Sequence, residues 1–212
     1  MKYLIIGRSV TGKDTLRCGL EQSMGWDFVK SYTTRPKRFE NEDTHIFISD
    51  DQAKCVPYSD KVAVTYIANG GKDCEYFATR KQVEDSDAYL IDPFGAFQLM
   101  CNMPDEMFSI IYVYPESRLK HISAIVSRGD SAGSILGRMR SESSMFDSFE
   151  SKLAMLSTRP SCFHNLKGVL LLSNDYASID RMVRKVQWFS SDRYPDGMRE
   201  NDLTVFEKYI LK

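Results

Sequence analysis

An α/β fold, a parallel sheet core flanked by helices, is what this 212-residue sequence predicts, and three observations carry it. A short apolar run, Tyr3-Leu4-Ile5-Ile6, feeds a glycine-bounded loop ending Gly12-Lys13, and a helical pattern follows. Strand-like and helix-like segments then alternate, the order that parallel strands joined by crossover helices require. The later strands, Tyr89-Leu90-Ile91, Phe108-Ser109-Ile110-Ile111-Tyr112-Val113 and Val169-Leu170-Leu171-Leu172, are nearly continuous apolar runs. Strands covered on both faces read that way.

The first loop, Gly7-Arg8-Ser9-Val10-Thr11-Gly12-Lys13, is a phosphate-binding motif in its proper strand–loop–helix context. Gly7 and Gly12 permit torsions that a side chain forbids, so the N–H groups around Ser9 can turn toward a polyphosphate. Lys13 would neutralise the phosphates at the positive end of the helix, with Thr15 in its first turn. Leu16, Leu20 and Met24 follow at helical spacing. Asp14 stands where the motif has Ser or Thr. Its carboxylate is a hard oxygen ligand suited to Mg²⁺, or it charges the first helical turn favourably.

After this helix, 28–32 reads as a short strand running into the basic turn Thr33-Thr34-Arg35-Pro36-Lys37-Arg38, which Pro36 keeps from being helical. An acidic stretch passes into Ile46-Phe47-Ile48, and Val62-Ala63-Val64-Thr65-Tyr66 precedes the turn Asn69-Gly70-Gly71. The polar, glycine-punctuated 128–134 reads as a mobile loop. Beyond it a helix carries Met145, Phe146, Phe149, Leu153 and Leu156 on one face. Ile179, Met182, Val183 and Val186 mark the helix after the last strand. A turn-rich connection over 189–200 leads to an amphipathic helix with Leu203, Phe206 and Ile210, expected to fold back on the domain.

Composition narrows the function classes. Lys and Arg number 28 against 29 Asp and Glu, so no overall charge favours nucleic acid or a membrane surface. The five cysteines are odd in number, scattered and without ligand spacing, which implies reduced thiols and no zinc site. A strand at the very start, with no basic n-region or long apolar run, implies neither signal peptide nor membrane span, hence a cytoplasmic protein.

The order of motifs is more specific than any one of them. The phosphate loop is followed by Ser31-x-x-Thr34-Arg35-Pro36-x-Arg38, Tyr76-Phe77-Ala78-Thr79, Asp92-x-x-Gly95, an arginine-bearing loop and Asn174-Asp175. Over about residues 1–188 this resembles the guanylate kinase family of P-loop nucleoside monophosphate kinases. The resemblance implies a P-loop kinase fold with a small β-containing acceptor part over about 31–80 and a lid over about 128–137. Residues 189–212 would be a C-terminal extension. It implies ATP and Mg²⁺ as cofactors, with Gly7, Ser9, Gly12, Lys13, Asp14, Thr15 and Asn174 on the donor side. Ser31, Arg35, Arg38, His45, Tyr76, Thr79 and Asp92 would face the acceptor, and Lys13, Arg35, Arg38, Arg128 and Arg138 would carry the transferring phosphoryl charge. Guanidiniums suit that work because they are planar and permanently charged. The implied partners are a nucleotide and a phosphorylated small molecule.

The departures from the family pattern bear on the acceptor. No acid stands in Val64-Thr65-Tyr66-Ile67-Ala68-Asn69-Gly70, where the family's guanine-reading glutamate belongs. Phe77 replaces a phosphate-binding tyrosine, Ala78 a glycine, His45 another tyrosine, and Leu90 the first acid of a D-x-D pair. Discrimination between bases depends on such edge-reading groups. Ribose bisphosphate phosphokinases share the Asp after the loop lysine and stretches similar to Glu42-Asp43-Thr44-His45-Ile46 and Ala68-Asn69-Gly70. A sugar-phosphate acceptor would need no base-reading acid. Guanylate-kinase-like binding modules share the scaffold, but their phosphate loops are degenerate and this one is complete.

Overall fold

Alternation along β1 (Lys2–Ile6) divides the core in two. The computed structural model describes residues 1–210 apart from 38, 70, 71, 128–131, 159–162, 175 and 195, with backbone alone at 68–69, 132–139, 141, 154, 157–158, 196–201. Strand β1 lies between β6 (Ala88–Leu90) and β7 (Phe108–Pro115), and β7 pairs with β8 (Leu166–Asn174). The order is β6-β1-β7-β8 and every pairing is parallel. This is the parallel α/β core that the sequence predicts.

Leu4, Ile6, Ile110, Tyr112, Tyr114 and Leu171 point to one face of this sheet. There they pack with Leu99 of α4 (Pro93–Asn102), Phe149 and Leu153 of α6 (Ala132–Thr158), and Phe206 of α8 (Asp196–Ile210). Tyr3, Ile5, Ile111, Val113, Leu170 and Leu172 point to the other face. Leu16 and Leu20 of α1 (Lys13–Met24) and Met182, Val183 and Val186 of α7 (Ile179–Ser190) cover them. The period of two on the strands meets the period of 3.6 on the helices, so both faces close.

A second sheet stands beside the carboxyl ends of the first. Its order is β3-β2-β5-β4, made by β2 (Tyr32–Thr33), β3 (Ile46–Phe47), β4 (Lys61–Asn69) and β5 (Lys72–Thr79). Phe77, Val64 and Ala53, the last from α2 (Asp50–Cys55), form its own small core. The strand expected over 28–32 is mostly a crossing between sheets. Phe28 makes one isolated parallel bridge to Ala88, and the ladder resumes only at Tyr32. Asp92 lies past the end of β6 and caps α4, accepting a hydrogen bond from Gly95 N–H at 2.9 Å with Pro93 at the first helical position.

One expectation about the C-terminal half shifts. Helix α6 begins at Ala132, so 132–134, expected within a mobile loop, have helical backbone; 128–131 lie outside the described residues. Helix α8 folds back on the domain, as its amphipathic pattern predicts. Phe206 is fully buried against Tyr112 and Tyr114, and Asp202 accepts hydrogen bonds from Lys185 Nζ (2.7 Å) and the Tyr194 hydroxyl. Without α8, two buried tyrosines of β7 would face water. Phe206→Ala is therefore expected to destabilise the whole domain by about 3–5 kcal/mol, as truncation of a buried aromatic does. A single urea transition displaced to lower midpoint checks this; an unchanged midpoint would make residues 189–212 a separable extension.

Candidate active site

The loop joining β1 to α1 packs directly on the end of β7. A Cβ on Gly7 would lie 2.3 Å from the Val113 carbonyl oxygen, so only glycine lets the chain turn there. Gly12 has φ +91°, and a Cβ on it would meet Asn174 Nδ2 at 2.4 Å. Val10 is also left-handed, with φ 62°, a costly conformation for a β-branched residue.

Four successive carbonyls of this loop are held, the first from within the loop and the next three from outside. The Arg8 oxygen accepts from Thr11 Oγ1 (2.9 Å) and Lys13 Nζ (2.7 Å). The Ser9 oxygen lies 2.7 Å from His121 Nε2, which must carry the proton because a carbonyl only accepts. The Val10 oxygen accepts from the Tyr176 hydroxyl (3.0 Å) and the Thr11 oxygen from Asn174 Nδ2 (2.9 Å). Each carbonyl is trans to the next N–H across a planar peptide. Fixing the oxygens of 8–11 thus directs the amides of 9–12 the opposite way, into the concave side. Gly12 supplies no side-chain cap to α1, which leaves the positive end of that helix open to the same space.

Arg8 points away from this space and ties the loop to α6. Its guanidinium donates to Glu150 Oε1 and Oε2 (both 2.9 Å) and to Asp147 Oδ1 (2.5 Å), and it lies over the Phe146 ring. Burial opposes its charge, but the two carboxylates more than offset this and hold its pKa above the ordinary arginine value. Glu150 also accepts from the buried Tyr112 hydroxyl. Burial, together with that carboxylate, pushes the Tyr112 phenol well up, so it stays a neutral donor.

Two cavities flank the loop, and Lys13 and Asp14 line both. The larger, about 660 Å³, is bounded by Gly12, Thr15, Asn174, Tyr176 and Ser127 of α5 (Arg118–Ser127). The smaller, about 400 Å³, lies between the loop and the second sheet. Gly7, Ser9, Ser31, His45, Tyr76 and Asp92, all candidates from the sequence, meet there. Ser31 Oγ and His45 Nδ1 are 2.9 Å apart, and the His45 ring stands edge-on to Tyr76 at 5.5 Å. Asp92, besides capping α4, accepts from Thr65 Oγ1 at 3.1 Å. Among the described residues no group of three or more His, Cys, Asp or Glu could hold a metal ion.

Other candidates sit elsewhere. Arg35 is 5% exposed and does not line the described walls of the smaller cavity. Its guanidinium donates to Glu42 (2.8 and 3.1 Å), to the Pro36 carbonyl (2.8 Å) and through Nε to the Tyr76 hydroxyl (3.0 Å). The hydrogen bonds to Glu42 raise its pKa despite burial. Thr79 forms a capping box with Gln82 at the start of α3 (Arg80–Glu84), away from both cavities. Arg38, Arg128 and Asp175 fall outside the described residues, as does the side chain of Arg138.

Several lining residues carry no signal in the sequence. Thr65 faces Tyr76 across the β4–β5 pairing and occupies the cavity wall where an acid was sought. Tyr89 is buried behind Ser31, and burial pushes its phenol far up. Arg17 reaches the smaller cavity one turn after Lys13, and its only legible feature was that spacing. Glu142, on α6, lines the same cavity from 133 residues beyond Ser9. Phe77, expected in a phosphate contact's place, is fully buried and stacks on Tyr32, because neighbours on a strand face opposite ways.

No protein-family model and no curated protein matches this chain. Among solved structures it is similar to the guanylate kinase from Anaplasma phagocytophilum, at 15% identity over 94% of this chain and 88% of that one, with a TM-score of 0.48. No helix among the described residues is long and apolar enough to cross a membrane. What the loop and cavities can do is decided by their own groups.

Relief of the strained turn is measurable. Val10→Gly should raise stability by about 1 kcal/mol, because a left-handed β-branched residue costs about 1–3 kcal/mol and glycine's greater unfolded-state entropy returns only part of that. Thermal melts of the two proteins check it, and a lowered melting temperature would show that Val10 packs better than its torsion suggests. Glu42→Ala should cost about 3–5 kcal/mol by leaving the Arg35 guanidinium buried without its carboxylate. Replacing both, Arg35→Met with Glu42→Ala, should recover much of that loss in the same denaturation experiment.

Proposed function

We propose that this protein is an ATP-dependent phosphotransferase that moves a γ-phosphoryl group onto the phosphate of a nucleoside monophosphate. The observation that carries the reading is the junction of two cavities at Lys13 and Asp14. A donor in the larger cavity and an acceptor in the smaller would meet there, which is the in-line arrangement phosphoryl transfer requires. The acceptor phosphate is already a charged nucleophile, so alignment and charge neutralisation suffice.

The donor side would be read by the inward amides of 9–12, by Lys13 and by Thr15, with Asn174 and Tyr176 holding the loop in shape. Asp14 would hold Mg²⁺, which when bound neutralises phosphate charge. With no protein cluster of three ligands among the described residues, the phosphates and water would complete its shell, as is usual for magnesium. On the acceptor side Tyr76 and His45 would face the phosphate, and Arg35 acts as a positioning residue through its hydrogen bond to the Tyr76 hydroxyl. Arg38, Arg128 and Arg138 are proposed to supply the remaining positive charge. Ser31, Thr65 and Asp92 would meet the base.

One observation favours a second reading, a sugar-phosphate acceptor of the ribose bisphosphate type. The β4 wall of the smaller cavity presents Thr65 and no carboxylate, and Asp92 is already engaged by Gly95 N–H and Thr65. A coupled ADP-release assay over ribo- and deoxyribonucleoside monophosphates and ribose 1,5-bisphosphate separates the two. Turnover of a monophosphate is expected, and Lys13→Ala should reduce it by at least about a hundredfold, as loss of a transition-state electrostatic contact does. Near-normal turnover by a folded Lys13→Ala protein, or no turnover of any acceptor, would overturn the proposal.

A further inference from the structure

The concave side of the loop already holds an anion of the protein's own. Ser9 N–H donates to both carboxylate oxygens of Glu142, at 3.1 and 3.2 Å, and the Ser9 hydroxyl donates to Oε1 as well. Glu142 is half-buried on α6 and lines the smaller cavity together with Lys13. Two oxygens on one carbon, chelated by a loop amide and a loop hydroxyl, present the same face as two oxygens of a phosphate.

We propose that Glu142 is a built-in competitor for phosphate, its carboxylate closing the loop in the free protein and being displaced when a polyphosphate binds. This rests on the reading of the loop as a nucleotide site. One N–H cannot serve both anions, and a carboxylate left beside a bound phosphate would repel it at close range in a partly desolvated space. Phosphate entry and Glu142 withdrawal are therefore one exchange. The rest of α6 need not let go. Arg8 keeps its hold on Asp147 and Glu150, one and two turns further along, and Phe146 stays under the Arg8 guanidinium. The exchange makes apparent affinity lower than the intrinsic affinity of the open loop, by the fraction of molecules in which the loop is free. It also couples α6, through Glu142, to whether the loop is occupied.

Calorimetric titration of the full chain tests this with inorganic tripolyphosphate in the absence of divalent metal, and with ATP in the presence of Mg²⁺. Glu142→Gln keeps the side-chain shape and removes the charge; Glu142→Ala removes both. Each is expected to bind tripolyphosphate about tenfold more tightly than the wild type, the change expected if about nine molecules in ten are self-occupied. The gain should vanish when Lys13→Ala is added. Circular dichroism and melting establish that each variant is folded, and the isosteric Glu142→Gln guards against a folding defect in Glu142→Ala. Binding that is unchanged or weaker in both folded variants, while the wild type binds in a Lys13-dependent way, overturns the Glu142 proposal alone. If neither the wild type nor Glu142→Ala binds tripolyphosphate or ATP, the nucleotide reading falls and the competitor falls with it.

Discussion

Peptide planarity, applied to one loop, sets the requirements for much of this structure. Because each carbonyl is trans to the next amide, the oxygens of residues 8–11 had to be captured for the amides of 9–12 to turn the other way, that of Arg8 by Thr11 and Lys13 within the loop and the other three from outside. The captors come from separate elements: His121 from α5, Asn174 from the end of β8, and Tyr176 just beyond it. They can reach the loop only because β1, β7 and β8 are adjacent and parallel, which places all their carboxyl ends on one side. Open α/β sheets collect ligands at that edge for the same reason.

Charge inside the protein is used for position. Arg8 and Arg35 are both buried guanidiniums with carboxylate partners, and neither pair is a source of much net stability, since desolvation offsets the attraction. Their value is directional. Arg8 fixes α6 against the loop, through Glu150 and the Tyr112 hydroxyl to the middle of β7. Arg35 fixes the acidic turn at Glu42 and orients Tyr76. The carboxylate of Glu142 lies on the same helix as the partners of Arg8, so the loop's rigid anchor and its competing anion share one element.

The smaller cavity has a different character. Its walls come from two sheets and its polar groups mostly engage each other: Ser31 with His45, Thr65 with Asp92. A ligand entering it would exchange these contacts for its own, which sets selectivity by how well its edge replaces them. The large, exposed Tyr66 and Ile67 lie on the same β4 strand just beyond Thr65. Of the two, Ile67 lines the cavity, and Tyr66, its neighbour on the strand, faces the other way.

Much of the fold was legible in the chain. Leu4, Ile6, Ile110 and Leu171 sit in runs that could only be strands buried on both faces, and Leu16, Leu20, Met182 and Val186 sit at the spacing of the helices that cover them. The loop was legible too, since Gly7, Gly12 and Lys13 are local chemistry at fixed spacing. Local pattern also gave the helix of Leu203, Phe206 and Ile210 as one that folds back on the domain, but nothing near Phe206 in sequence says that it fills the space beside Tyr112 and Tyr114. In the site, Ser31, His45, Tyr76 and Asp92 were legible as motifs, but not their company. Whether Arg35 meets a ligand or Glu42 depends on a turn closing seven residues later, and Glu142 meets Ser9 across 133 residues. Spacing along the chain determines which torsions and faces a segment has. Which charge lies beside which is a property of distances through space, and only the tertiary structure could decide it.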